Sequence, residues 1–152
     1  MFDLSNIKEI RKIYGDSQKD VADYSKIKYY AYCKYEENEA IPTLEVIYNF
    51  ARHYNISMDY VLGLQDQRGK SNSNQYDKEI VINNLIALRL SKNLSQRALA
   101  KKLNVTHTAI QKYENGMSKL NLKVIYKYYQ YFNFKINDLC TKDFYKVLNI
   151  NK

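Results

Sequence analysis

Shifted against itself by 78 positions, the 152-residue chain lines up two segments without a gap. Ser17-Gln18 falls on Ser95-Gln96, Ala22 on Ala100, Ala31 on Ala109, and Lys34-Tyr35-Glu36 on Lys112-Tyr113-Glu114. Val46-Ile47-Tyr48 falls on Val124-Ile125-Tyr126, Asn55 on Asn133, Arg11 on Arg89 and Leu44 on Leu122. A register held over that length is an internal repeat, so whatever this chain folds into, it must fold twice. Each copy is short. The apolar fraction of 45% is enough to fill two small cores.

The first copy reads as five helices. One over residues 4–14 puts Ile7, Ile10 and Tyr14 on its inner face, and Gly15 ends it. Ser17 with Asp20 three positions later forms a capping box for the second, which turns Val21 and Ala22 inward. The third, residues 28–36, is aromatic, with Tyr29, Tyr30, Tyr32 and Tyr35, and Asn38 suits the left-handed position after it. Pro42 extends the chain before Thr43, an N-cap for residues 44–54, whose Leu44, Ile47, Phe50, Ala51 and Tyr54 face inward. Ser57 caps a short last helix closed by Gly63, with Met58, Val61 and Leu62 inward. In the second copy, Ser95 caps a helix carrying Leu99 and Leu103, and Asn104 occupies a tight turn. Thr106 then caps a helix ended by Gly116, with Ala109, Ile110 and Tyr113 on one face and His107, Thr108, Gln111 and Lys112 on the other.

The run SQRALAKKLNVTHTAIQKYENG, continued by KVIYKYYQYFNFKINDL, resembles the helix-turn-helix of the Cro/cI (XRE) repressor family over residues 78–140. The resemblance implies an all-α chain of two tandem five-helix, lambda-repressor-like domains. The first occupies residues 1–64 and the second, with a short C-terminal helix, 78–152. Between them, residues 65–77 are polar with no hydrophobic period and read as a flexible linker. As a coil its ends would lie roughly 20 Å apart, with about 45 Å at full stretch, which spans half-sites about 34 Å apart. The family pattern also suggests that Glu114 pairs with Arg89, and Glu36 with Arg11. In the tail, Phe144, Val147 and Leu148 fall on one helical face that covers its own domain or makes a dimer contact.

Charge separates the two copies. Residues 1–63 hold 8 Lys and Arg against 10 Asp and Glu, whereas residues 64–152 hold 16 against 6, so the surplus behind the net +8 lies in the half with the clearer motif. For that half the resemblance implies duplex-DNA contacts by Gln96, Thr106, His107, Thr108, Gln111 and Lys112, with Arg97, Lys101, Lys102 and Lys119 near phosphates. The chemistry suits these roles: Gln pairs with adenine, Thr meets a thymine methyl, and Lys reaches guanine or phosphate. A solvated helix face would be polar too, and only the motif favours DNA. The matching positions of the first copy are Gln18 and then Lys28, Tyr29, Tyr30, Cys33 and Lys34, with acidic Asp20, Asp23, Glu37 and Glu39 nearby. They either contact DNA or form a protein-binding surface, since Tyr is enriched at interfaces.

The functional expectation is a sequence-specific transcriptional regulator, a repressor, of bacterial or phage origin. The alternative is an antitoxin or adaptor whose first copy contacts a protein partner or its own twin as a homodimer. His53 and His107 lack nucleophile or metal-ligand spacing, no Gly-rich phosphate loop occurs, and Cys33 and Cys140 form no CxxC pair. Neither catalysis nor a cofactor or metal is expected. The N-terminal FDLSNIKEIRK has no signal-peptide apolar region, and no apolar run reaches about 18 residues, so the expected location is cytoplasmic and nucleoid-associated, away from membranes.

Overall fold

The computed structural model describes residues 1–142, 144 and 146. Among them are ten helices and no strand: α1 (Ser5–Ile13), α2 (Gln18–Tyr24), α3 (Tyr29–Glu36), α4 (Leu44–Tyr54), α5 (Met58–Val61), α6 (Lys78–Ser91), α7 (Gln96–Leu103), α8 (His107–Glu114), α9 (Leu122–Phe132) and α10 (Ile136–Leu139). The chain divides into two compact units, one built on Met1–Tyr76 and the other on Asp77–Leu120 and the residues from Val124 onward. Each holds five helices in the same order. No described helix is long and apolar enough to cross a membrane.

The two cores repeat position by position. Ile7, Ile10, Val21, Leu44, Ile47, Met58 and Val61 are buried in the first unit, and 78 residues on Leu85, Leu88, Leu99, Leu122, Ile125, Ile136 and Leu139 are buried too. Burying each such side chain contributes about 1.5–3 kcal/mol, the main force holding such short helices together. An asparagine recurs inside this frame: Asn6 Nδ2 donates to the Tyr60 carbonyl at 2.8 Å, and Asn84 Nδ2 donates to those of Leu139 and Thr141 at 2.7 and 2.9 Å. Each ties the end of the last short helix to the first helix of its unit.

The helix ends follow side-chain chemistry. Ser17 Oγ accepts from the Asp20 amide at 3.0 Å while Asp20 Oδ2 accepts from the Ser17 amide at 2.9 Å, closing the capping box. Thr43, Ser57, Ser95 and Thr106 cap α4, α5, α7 and α8. Left-handed residues stop the helices, and they too keep the repeat. Gly15 matches Asn93, Lys26 matches Asn104, Asn38 matches Gly116, and Asn55 matches Asn133, all with positive φ.

Tyr14 departs from the expected inner face: it is 47% exposed. The reason is that α1 ends at Ile13, so Tyr14 lies past the helical period and leans on the Tyr54 ring, 4.6 Å between centroids. Phe144, expected on the tail helix, is fully buried against Phe134, whereas Val147 and Leu148 lie outside the described residues. Residues 65–76 run along the first unit. The Ser57 amide donates to the Arg68 carbonyl at 2.8 Å, and Arg52 Nε donates to that of Ser73 at 3.2 Å.

Lys26 is the one matched left-handed position filled by neither Gly nor Asn, at φ 58°. A side chain there costs of order 1–3 kcal/mol, which Asn lessens. Lys26→Asn, copying Asn104, should therefore stabilise the chain by about 0.5–1 kcal/mol. A denaturant midpoint that fails to rise would contradict this.

Candidate nucleic-acid interface

Helices α7 and α8 are eight residues each, too short to hold a mutual angle by themselves. Their geometry comes from one carboxylate. Glu114, at the end of α8, accepts from Arg89 Nε of α6 at 2.7 Å on one oxygen and from Gln96 Nε2 of α7 at 2.7 Å on the other. Arg89 also donates to the Leu94 carbonyl at 2.9 Å. Three helices thus converge on one side chain that is only 4% exposed. From outside, Lys127 of α9 donates to the Asn104 carbonyl at 3.2 Å and pins the turn between α7 and α8.

The first unit repeats the node. Arg11 donates to both oxygens of Glu36 at 2.6 and 3.0 Å and to the Asp16 carbonyl at 3.1 Å, and Gln18 Nε2 donates to Glu36 at 2.9 Å. Both ion pairs that the family pattern suggests are therefore formed. Here Tyr32 adds a fourth donor, its hydroxyl 2.6 Å from Glu36. Ile110 holds the matching place in the second unit, where Tyr128 stands instead of Phe50. Burial pushes the Tyr128 phenol well up, and the Glu114 charge adds to the effect.

Gln96 and Gln18 are thus half-buried, with one amide N–H of each engaged inside the fold. Gln96 keeps its second N–H and its carbonyl oxygen for an outside partner. Thr106, Thr108, Gln111 and Lys112 are exposed and His107 is half-buried. Thr106 Oγ1 accepts from the Ala109 amide at 3.0 Å, which leaves its hydroxyl hydrogen and methyl group outward. Arg97, Lys101, Lys102 and Lys119 are exposed around this face, with no carboxylate partner among the described residues. Glu114, the nearest acidic side chain in sequence, is turned inward and neutralised by Arg89.

Two neighbours had no signal in the reading of the motif. Asn115 Oδ1 accepts from the Met117 amide at 3.0 Å, and that turn presents Met117 74% exposed just past α8. The matching first-copy positions are Glu37 and Glu39. The acidic Glu37 and Glu39 are visible in the sequence, and setting Asn115 and Met117 against them shows the change from acidic to uncharged.

The first unit's face has another character. Lys28 is exposed but makes no side-chain cap for α3, Tyr29 and Tyr30 are 54% and 69% exposed, and Lys34 Nζ lies 4.6 Å from the centre of the Tyr30 ring. Cys33 Sγ points at Gln18 Oε1, 3.5 Å away, so both ends of the Gln18 amide are engaged internally. The turn has changed as well. Buried Ser25, whose hydroxyl has no partner among the described residues, stands for Leu103, and Lys26 and Lys28 stand for Asn104 and Thr106.

Burial would raise the Glu36 carboxyl, but hydrogen bonds from Arg11, Tyr32 and Gln18 outweigh it and hold the group below its ordinary 4.5. The resulting stabilisation is complete above about 4.5 and is lost as pH falls through the lowered folded value. Acid unfolding followed by first-unit tyrosine signals should show this loss, and Glu36→Gln should flatten it; an unchanged profile in that variant would contradict the assignment.

A family model described as helix-turn-helix matches residues 7–61 and again residues 85–139, two spans displaced by the 78 positions that relate the copies. No curated protein and no solved structure matches the chain. With the repeated node, the paired short helices and this double match together, the chain belongs to the Cro/cI (XRE) type of helix-turn-helix family, a family of DNA-binding regulators, and carries its domain twice.

Proposed function

We propose that the second copy reads duplex DNA in the major groove with α8, and that the chain is a transcriptional repressor. The observation that carries this is the exposed set Thr108, Gln111 and Lys112 on a helix capped by Thr106, ringed by Arg97, Lys101, Lys102 and Lys119 with no carboxylate partner among the described residues. The basic residues release counterions from phosphates, which gives affinity and salt dependence. Gln111 and Lys112 meet base edges, each good pair contributing about 1–3 kcal/mol of discrimination. Gln96, His107 and Thr106 stand at the rim of that contact, where an amide N–H or a hydroxyl meets a phosphate.

A second reading concerns the first copy. Its Tyr29 and Tyr30 are exposed, its Gln18 amide is engaged at both ends, and Lys34 lies against a ring. That set favours a protein-contact surface, as in an antitoxin, an adaptor or a homodimer, over a base-reading one.

Duplexes selected from a random pool separate these roles. Gln111→Ala and Lys112→Ala should each weaken binding to the selected site about ten- to hundredfold and relax its sequence preference, while Lys101→Ala should lower the salt slope by about one. Tyr29→Ala with Tyr30→Ala should leave DNA affinity unchanged and reduce self-association in sedimentation. Folded Gln111→Ala and Lys112→Ala chains with unchanged affinity and preference would refute the assignment of α8. A tyrosine variant that loses DNA binding instead of self-association would refute the second reading.

A further inference from the structure

Residues 65–76 have the composition of a free linker, yet they are attached to the first unit along their length. The Ser57 amide, at the start of α5, donates to the Arg68 carbonyl at 2.8 Å. Arg68 in turn donates to the Tyr14 hydroxyl at 2.7 Å and lies over that ring. Ser71 Oγ donates to Asn55 Oδ1 at 3.3 Å, Arg52 Nε donates to the Ser73 carbonyl at 3.2 Å, and the Tyr48 hydroxyl donates to the Asn74 carbonyl. Tyr76 sets its edge against the Tyr48 ring, 5.5 Å between centroids.

Gly69 makes the close approach. Its φ is +59°, and a Cβ there would lie 3.1 Å from Ser57 Cβ, so a side chain would meet both strain and crowding. Of the receiving positions, Tyr14, Arg52 and Ser57 are particular to this copy, whereas Tyr48 and Asn55 keep their residue type in the other. Tyr48, Arg52 and Ser57 correspond to Tyr126, Gln130 and Lys135, and Tyr48 is 3% exposed whereas Tyr126 is half-buried. Five residues of the first unit, Tyr14, Tyr48, Arg52, Asn55 and Ser57, thus receive the segment.

We propose that residues 65–76 are a seated strap, and that its seating sets the tether between the two helix-turn-helix copies. Seated, it leaves almost no free chain before Asp77 caps α6. Released, its twelve residues would add a reach of up to about 40 Å. The consequence for DNA rests on the readings given above, in which two chains associate through their first copies and each α8 contacts one segment of duplex: a seated strap restricts the spacing between the two segments, and a released one tolerates several spacings.

Amide hydrogen exchange on the full chain tests the seating without DNA. The Ser57 amide, whose acceptor belongs to the strap, should be protected in the wild type. In Gly69→Val and in Arg52→Ala it should exchange about fivefold faster or more, while the α4 core amides of Ile47 and Phe50 keep their protection. A wild-type Ser57 amide that exchanges like an unstructured peptide, or one unmoved in both variants, would overturn the seated strap. Selection from duplex pools with varied spacing tests the consequence: the wild type should recover a narrower range of spacings than Gly69→Val. Equal ranges would overturn the spacing claim, as would a chain that binds no duplex, and in either case the exchange data still decide the strap.

Discussion

One buried carboxylate in each copy, Glu36 or Glu114, is the point from which the helix-turn-helix takes its shape. The two helices of such a motif are only seven or eight residues long, and helices of that length are unstable in water alone. Their angle must be imposed from outside. An arginine from the helix before the motif and a glutamine from the start of its first helix both donate to the glutamate that ends its second helix. Removing one partner of so buried a pair costs about 3–5 kcal/mol, because the other charge is left without compensation. The same arrangement turns the one acidic side chain of YENG away from where phosphate would lie, so a structural contact also shapes the surface potential.

Around that shared node the copies have diverged in a consistent direction. The second keeps the residues that make a clean turn, Leu103, Asn104 and Thr106, and presents uncharged and basic side chains. The first has Ser25, Lys26 and Lys28 in those places, a buried hydroxyl without a partner among the described residues, a strained backbone and a helix without a side-chain cap. Its node is tighter, since Tyr32 adds a donor to Glu36, and its outer face is aromatic. Internal contacts kept beneath an aromatic outer face are consistent with a partner other than DNA for that copy.

Much of this was legible in the sequence because it is local or repeated. Capping residues act within three positions of themselves, left-handed stops are set by Asn and Gly, and the 78-residue register carries core positions and ion pairs from one copy to the other. What could not be read depends on contacts distant in sequence. Tyr14 belongs to the inner period of its helix, but the helix ends one residue too soon. Asn84 reaches carbonyls 55 and 57 residues away, and Lys127 holds a turn 23 residues before it. The polar stretch 65–76 shows no hydrophobic period because it attaches through backbone carbonyls and a few scattered side chains, Arg68, Ser71 and Tyr76, rather than through a periodic apolar face.

The claim on which the account rests is that α8 and its basic surroundings form the DNA face. Backbone amide shifts of the isotope-labelled chain, followed as a selected duplex is added, test it residue by residue. The largest shifts are predicted within residues 95–112 and at Lys119, with residues 28–34 unmoved. Shifts concentrated in residues 28–34, with 106–112 unmoved at saturation, would contradict it.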